Sequence, residues 1–287
     1  MTKKVLTIQD ISCVGKCSLT VALPIISVFG IETAILPTAV LSNHTAFSNF
    51  TFTDLTKDIL PISAAWKKEG FTFDAIYTGY LGSFEQIDLM KQFFTDFTGP
   101  HTLKLVDPCM ADNGNLYKGF TVEFAHAMAD LCASADVVVP NVTEAAFMLD
   151  IPYKAPFTYD ESYIQEMIEG LVQRGIKRVV LKGVEYASTK HEHKIGIVSY
   201  DSKTKQQESY FHEKLDKSFH GTGDIFASTC LGALVRGFTL KEAYSLAADF
   251  VVESIRATLK TDAYNWYGVD FETALPYLVN RIFPTTV

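Results

Sequence analysis

The chain has 287 residues, of which 48% are hydrophobic and 20% are charged, a composition typical of a globular protein with a large core. A formal net charge of −8 and a pI of about 5.4 argue against a surface that binds nucleic acid. The apolar stretch before Gln9 is too short for a signal peptide, and the longest apolar run contains Pro24 and Gly30, so we expect a cytoplasmic protein with no membrane segment.

The first part of the chain alternates short β-rich runs with longer helical patterns. The runs predict strands at KVLTIQ (4–9), TAILPTAV (33–40), DAIYTGY (74–80) and LKLVDP (103–108). Helices are predicted between them, at 18–30, 54–68 and 85–97.

The second part continues the alternation. Strands are predicted at DVVVPN (136–141), KRVVLKG (177–183), KIGIVSY (194–200) and KQQESYF (205–211), and helices at 121–133, from Thr143, at 160–174, and after Gly223 almost to the end. Several strands are continuous apolar runs, which is typical of parallel sheets covered on both faces. We therefore expect one α/β domain over residues 1–287, with an open, mostly parallel central sheet flanked by helices on both faces.

Polar side chains follow nearly every predicted strand. In such sheets ligands bind beyond the carboxyl ends of the strands. Each side chain alone has an ordinary explanation, such as a helix cap at Asn141 or a solvated Lys182, but their order along successive strands favours a site. The side chains are Asp10, His44, Thr45, Tyr80, Asp107, Asn141, Glu144 and Lys182.

A glycine-containing turn, HGTGD at 220–224, precedes an apolar helix. The N–H groups at such a helix start form a cradle for an anion, which the carboxylate of Asp224 would repel. The conflict disappears if a phosphoryl group only passes through while it is transferred to an alcohol. Asp224 can then accept the proton of the alcohol while the N–H groups stabilise the phosphoryl charge. The alternative is that Asp224 merely caps the helix.

Six motifs in this order resemble the pyridoxal kinases of the ribokinase-like superfamily, and most closely their bacterial pyridoxal/pyridoxamine branch. They cover the chain to about residue 260. The turn GTGD marks only the superfamily, whereas SNHT together with GYLGS is more specific to the pyridoxal branch. The motifs are IQD near the start, SNHTAF at 42–47, TGYLGSFEQ at 78–86, VDPCMAD at 106–112, PNVTEA at 140–145 and GTGD at 221–224.

The resemblance implies a homodimer that uses ATP and Mg²⁺ to phosphorylate the hydroxymethyl group of a B6 vitamer. It implies that Asp224 is the catalytic base and that the backbone of Gly221, Thr222 and Gly223 forms the anion hole. It assigns substrate contacts to His44, Thr45 and Tyr80, with Asp10 facing the ring. It assigns the nucleotide to Asp112, Tyr117, Lys182 and Thr222, and the metal to Asp107 and Glu144 with Asn141 nearby.

The metal assignment also agrees with the chemistry of the residues. Mg²⁺ prefers one or two carboxylates together with water and substrate phosphates. Asp107 and Glu144 follow neighbouring predicted strands and could supply that number, although both could also be ordinary surface acids. The sequence does not decide whether a monovalent cation is also required.

Two residues depart from the family pattern. Asp10 stands where many relatives have serine, and we expect its carboxylate to shift the preference among pyridoxal, pyridoxamine and pyridoxine. Cys109 stands where valine is commoner, and packing is its expected role.

Two other functions compete with this interpretation. One is a hydroxymethylpyrimidine or hydroxymethylpyrimidine-phosphate kinase, which usually has cysteine at the position of Asp224. The other is a catalytically silent binding protein on the same fold.

Overall fold

The computed structural model describes residues 2–188, 191 and 193–284. They fall into two compact units. The first unit comprises the described residues within 1–81, 97–102 and 215–287, and the second comprises those within 82–96 and 103–214. A single kinase domain over residues 1–287 remains a prediction.

The strands and helices alternate along the chain as the sequence predicts. The strands are β1 (Lys4–Ser12), β2 (Glu32–Leu41), β3 (Phe52–Asp54), β4 (Ala75–Thr78), β5 (Leu103–Val106), β6 (Ala111–Asp112), β7 (Asn115–Leu116), β8 (Val137–Val138), β9 (Arg178–Val184), β10 (Lys194–Asp201) and β11 (Gln206–Glu213). The helices are α1 (Leu19–Val28), α2 (Thr56–Glu69), α3 (Phe84–Phe97), α4 (Val122–Ala133), α5 (Val142–Leu149), α6 (Glu161–Gln173), α7 (Thr222–Val235), α8 (Leu240–Thr258) and α9 (Phe271–Ile282).

In the first unit the strand order is β4-β1-β2-β3. β1 pairs in parallel with both β2 and β4, while β3 runs antiparallel to β2. The side chains of Val5, Leu6 and Ile8 on β1 are fully buried, as expected for a strand covered on both faces. Helix α7 packs against α1 and α8, and α8 packs against α9.

In the second unit the strand order is β11-β10-β9-β8-β5. β5, β8 and β9 are parallel, and β10 runs antiparallel to β9 and β11. β6 and β7 form a separate short hairpin. Helix α5 begins with a capping box, in which Asn141 and Glu144 each accept a backbone N–H of the other.

The predicted fold class, an α/β fold with a mostly parallel central sheet and helices, is confirmed. Two details differ from the expectation. β1 continues to Ser12, so Asp10 lies inside the strand, at a shift in its register with β2, rather than after it. The strand β3 and the hairpin β6–β7 were not predicted. No helix among the described residues is long and apolar enough to cross a membrane.

Candidate active site

The predicted catalytic turn lies at the amino end of α7. Gly221 is the N-cap residue, with a φ of 81°, and Thr222, Gly223 and Asp224 form the first helical turn. Because the N-cap position belongs to Gly221, the alternative in which Asp224 merely N-caps the helix is wrong. The N–H groups of a first helical turn have no acceptor within their helix, so this end of α7 has the properties of an anion site.

The carboxylate of Asp224 is held by the start of α1. The backbone N–H of Ser18 donates to Oδ2 of Asp224 at 2.9 Å. The loop that leads to Ser18 is anchored as well, since Nζ of Lys16 lies 2.6 Å from Oδ1 of Asp270 and 2.9 Å from Oε2 of Glu272. Asp224 is therefore fixed by a loop that lies 206 positions away in the sequence.

Asp10 lies in the same unit and is only 5% exposed. Its Oδ1 accepts from the hydroxyl of Ser18 at 2.5 Å, and its Oδ2 accepts from the hydroxyl of Ser12 at 3.1 Å. Burial raises the pKa of Asp10, and the two serine hydroxyls only partly offset that rise. The structure thus gives both oxygens of Asp10 a protein partner, and a contact with the substrate stays a prediction.

His44 is 6% exposed and is fixed through both ring nitrogens. Nδ1 accepts from the N–H of Ala46 at 3.2 Å, and Nε2 lies 3.1 Å from the carbonyl of Tyr267. Together these contacts select the neutral tautomer with its proton on Nε2. The rings of Phe47 and His220 lie 4.9 and 5.2 Å from that of His44, centroid to centroid.

The other two predicted substrate residues are more accessible. Thr45 is exposed, in the turn that follows His44, and Tyr80 is half-buried, two residues after β4 ends. Both belong to the first unit, together with Asp10, His44 and Asp224. Their contact with a substrate remains a prediction.

The second unit holds a cluster of opposite charges. Nζ of Lys182, on β9, donates to Oδ1 of Asp107 at 2.9 Å, and Asp107 is only 2% exposed. Burial raises the pKa of Asp107, and the positive charge of Lys182 opposes that rise. Burial lowers the pKa of Lys182, but the negative charges of Asp107 and Glu144 outweigh it and raise that pKa overall.

Glu144 completes this cluster and is also 2% exposed. Its Oε2 accepts from the N–H of Asn141 at 2.7 Å, and its Oε1 accepts from the N–H of Met110 at 3.4 Å. Burial raises the pKa of Glu144 to about 8, with Lys182 opposing and Asp107 adding to the rise. The side chain of Asn141 caps α5 and donates to the carbonyl of Ala111 at 2.9 Å.

The remaining predicted nucleotide residues lie on the hairpin β6–β7 and just after it. The carboxylate of Asp112 is exposed and accepts from the backbone and side chain of Asn113. The N–H of Tyr117 donates to the carbonyl of Met110 at 2.9 Å. The neighbouring Cys109, burial and the nearby carboxylates raise the pKa of Tyr117.

The second unit offers two carboxylates to Mg²⁺, those of Asp107 and Glu144. Within the described parts of the chain, no group of three or more His, Cys, Asp or Glu side chains is arranged around a common metal position. Asp107 and Glu144 supply two carboxylates against the one positive charge of Lys182. Two carboxylates are what Mg²⁺ takes when water and phosphate complete its shell. Both Glu144 oxygens already accept N–H groups, so contact through water suits them best.

Ser12, Ser18 and Lys16 were not predicted to lie near the site. All three lie in or beside the short loop between β1 and α1. Serine next to a helix start indicates a cap, and nothing local indicates that Ser18 binds two carboxylates instead. Only the contact with Asp224 reveals its position in the site.

A model of the phosphomethylpyrimidine kinase family matches residues 25–267. The chain belongs to this family. A Bacteroides thetaiotaomicron protein assigned as a phosphomethylpyrimidine kinase, in an orthorhombic crystal form with pyridoxal, is 38% identical, with 97% of this chain and 96% of that chain covered and a TM-score of 0.91.

Pyridoxal kinases are also among the relatives. The structure of pyridoxal kinase from Lactobacillus plantarum is 27% identical, covers 97% of each chain and gives a TM-score of 0.87. Pyridoxal kinase PdxY of Pasteurella multocida is 25% identical over 282 residues, 91% of each chain. The resemblance to ribokinase-like pyridoxal kinases and the prediction of a phosphotransferase are confirmed.

Proposed function

We propose that this chain is an ATP-dependent pyridoxal kinase, which phosphorylates the 5'-hydroxymethyl group of pyridoxal and also accepts pyridoxamine and pyridoxine. The observation that carries the proposal is the position of Asp224. It is a carboxylate in the first turn of α7, behind a glycine N-cap, with one oxygen held by Ser18. An acid among N–H groups that favour anions suits a step in which an alcohol gives its proton to that acid while the alcohol oxygen attacks a phosphoryl group.

In this mechanism Asp224 accepts the proton of the 5'-hydroxyl as the oxygen attacks the γ-phosphorus of ATP. The bond from that phosphorus to the β,γ-bridging oxygen breaks, and ADP leaves with the electron pair. The backbone N–H groups of Gly221, Thr222 and Gly223 stabilise the charge on the transferred phosphoryl group. His44, Thr45 and Tyr80 are the proposed contacts for the pyridine substrate.

The charged cluster of the second unit serves the nucleotide and its metal. Asp107 and Glu144 would hold Mg²⁺, largely through water and with Asn141 beside them, and the metal would neutralise phosphate charge. Lys182 limits the negative charge of this pair and binds nucleotide phosphate. Asp112 and Tyr117 contact the nucleotide from the hairpin segment. A cytoplasmic location and a homodimer belong to the same proposal, and solution experiments test both of them together with the need for a monovalent cation.

The test measures phosphorylated product from pyridoxal, pyridoxamine, pyridoxine and hydroxymethylpyrimidine, each with Mg·ATP. We expect pyridoxal to have the highest kcat/KM, and we expect Asp224→Asn to lower kcat by about 100-fold or more because the general base is lost. Asp216→Asn, the same change at an exposed residue of the first unit, is the matched control and should keep wild-type activity. Higher kcat/KM for hydroxymethylpyrimidine would favour the thiamine-related alternative, and full activity of Asp224→Asn would refute the mechanism.

A further inference from the structure

Ser18 departs from the ordinary behaviour of a serine at its position. It is the N-cap of α1, where a serine hydroxyl ordinarily accepts a helix N–H, yet its side chain makes no such bond. Its backbone has a φ of 52° and a ψ of −134°, a combination that non-glycine residues rarely adopt. Such strain persists only where the surroundings impose it, so the contacts of Ser18 indicate its role.

Two carboxylates hold Ser18 in this conformation. Its hydroxyl donates to Oδ1 of Asp10 at 2.5 Å, and its N–H donates to Oδ2 of Asp224 at 2.9 Å. A single residue thus joins a buried acid to the acid that we propose as the catalytic base. All three residues belong to the first unit.

Asp10 is a buried residue that can hold Ser18 in place. It is 5% exposed, and the two serines that donate to it, Ser12 and Ser18, are 1% and 6% exposed. The O–H···O distance of 2.5 Å to Ser18 is at the short end of the range for hydrogen bonds between oxygens. The bond from Ser12 occupies the other oxygen of Asp10. Asp10 can therefore restrain Ser18 from inside the protein.

We propose that Asp10 is a positioning residue that acts through Ser18 to fix the carboxylate of Asp224 at the amino end of α7. This inference rests on the proposed function, because proton transfer to Asp224 is the step that needs the fixed geometry. A misplacement of about 1 Å in a catalytic group can cost roughly 100-fold in rate. Loss of the link through Ser18 therefore lowers kcat and leaves the KM for pyridoxal nearly unchanged.

The experiment compares Asp10→Ala and Ser18→Gly with Ser254→Ala as the control, a change at a fully buried serine of the first unit whose hydroxyl donates to the carbonyl of Phe250 within α8. Ser18→Gly keeps the N–H and relieves the strained backbone, so it removes the hydroxyl link without endangering the fold. We expect Asp10→Ala and Ser18→Gly to lower kcat by about 30-fold because Asp224 loses its restraint, and we expect Ser18→Gly to keep KM within about twofold. Ser254→Ala should change kcat by less than about threefold, since the hydroxyl of Ser254 bonds to neither Asp10 nor Asp224, and Asp10→Asn should restore part of the rate because it keeps an acceptor oxygen.

Two further measurements separate positioning from general damage. In an Asp224→Asn background, Asp10→Ala should cause no additional loss of kcat, because its effect passes through Asp224. A crystal structure of Asp10→Ala or of Ser18→Gly should show the bond between residue 18 and Asp224 lengthened or broken. An intact bond in both variants, or wild-type kcat in both, overturns the proposal. The structural result does not depend on activity, so a wild-type protein that fails to phosphorylate pyridoxal would refute the proposed function alone.

Discussion

The carbonyl oxygen of Lys16 lies against the backbone of Gly221, so closely that a Cβ on Gly221 would stand 1.8 Å from it. Gly221 also has a φ of 81°, which only glycine adopts without cost. We expect Gly221→Ala to lower the free energy of unfolding by about 3 kcal/mol, since both strain and a backbone clash must be relieved. We expect kcat to fall by about 100-fold as the start of α7 shifts. Urea denaturation and steady-state kinetics measure the two effects.

Gly237 offers a matched control for that substitution. Its φ of 94° is similar, but no atom lies within 4 Å of the position of an added Cβ. Gly237→Ala should therefore cost about 1 kcal/mol from backbone strain alone and leave kcat unchanged. An equal loss of stability in both variants would contradict the role assigned to the Lys16 carbonyl.

The ion pair between Lys182 and Asp107 leads to a second prediction. Asp107 is 2% exposed, so Lys182→Met would leave a buried carboxylate without its cation. Such a loss typically costs about 3–5 kcal/mol. We expect urea denaturation to show a free energy of unfolding lowered by about that amount.

The pair between Lys177 and Asp136 is the control for Lys182. The Lys177 side chain is 57% exposed, so Lys177→Met should cost less than about 1 kcal/mol. A similar small loss in Lys182→Met would mean that Asp107 does not depend on its lysine, for example because it takes up a proton.

Most of the fold could be predicted because its signals are local. The pattern at 121–133 predicted a helix, and α4 occupies Val122–Ala133 with Thr121 accepting the N–H of Phe124 at its start. The capping residue and the apolar pattern of a helix both lie within a short stretch of the chain, so a single sequence is enough to recognise the helix. The strand β3 and the hairpin β6–β7 have three and two residues per strand, too few for a period to be recognised.

The site could be predicted only in part, because several of its contacts join residues that are far apart in the sequence. The turn that places Asp224 at the start of α7 is contained in five consecutive residues. Its partner Ser18 is 206 positions away, and Lys182 is 75 positions from Asp107. Such pairs are made by the topology of the chain, which the local pattern does not specify. At Asn141 the structure shows the helix cap that the sequence suggested, and the place of this residue beside a metal stays a prediction.

A third prediction concerns the dependence of stability on pH. Burial and, to a smaller extent, the charge of His220 lower the pKa of His44 below its ordinary 6.5, although the carbonyl of Tyr267 opposes this. Protonation would also place a proton on Nδ1, where His44 now accepts from Ala46. The folded state therefore binds this proton less readily than the unfolded state. The stabilising effect is complete above about pH 6.5 and is lost as the pH falls through the lowered pKa.

The measurement is Tm between pH 8 and pH 5 for the wild type and His44→Gln. We expect the wild type to be the more stable at pH 8, and the difference in Tm to shrink as the pH falls below about 6.5. His101→Gln, the same substitution at an exposed residue, controls for the loss of a histidine. A difference for His44→Gln that stays constant across this range would show that His44 remains neutral or is not coupled to folding.

The last prediction concerns the reactivity of Cys17, which lies beside the two acids joined by Ser18. Burial, followed by the negative charges of Asp224 and Asp10, raises the pKa of the Cys17 thiol to about 12. Because the thiolate is the reactive form, Cys17 should be alkylated slowly at pH 8, whereas Cys13 is exposed. We expect iodoacetamide to modify Cys13 at least about tenfold faster than Cys17 in the native protein, as measured by peptide mass spectrometry. In urea both should react at similar rates, and equal rates in the native protein would mean that Cys17 does not occupy this partly buried, negatively charged position.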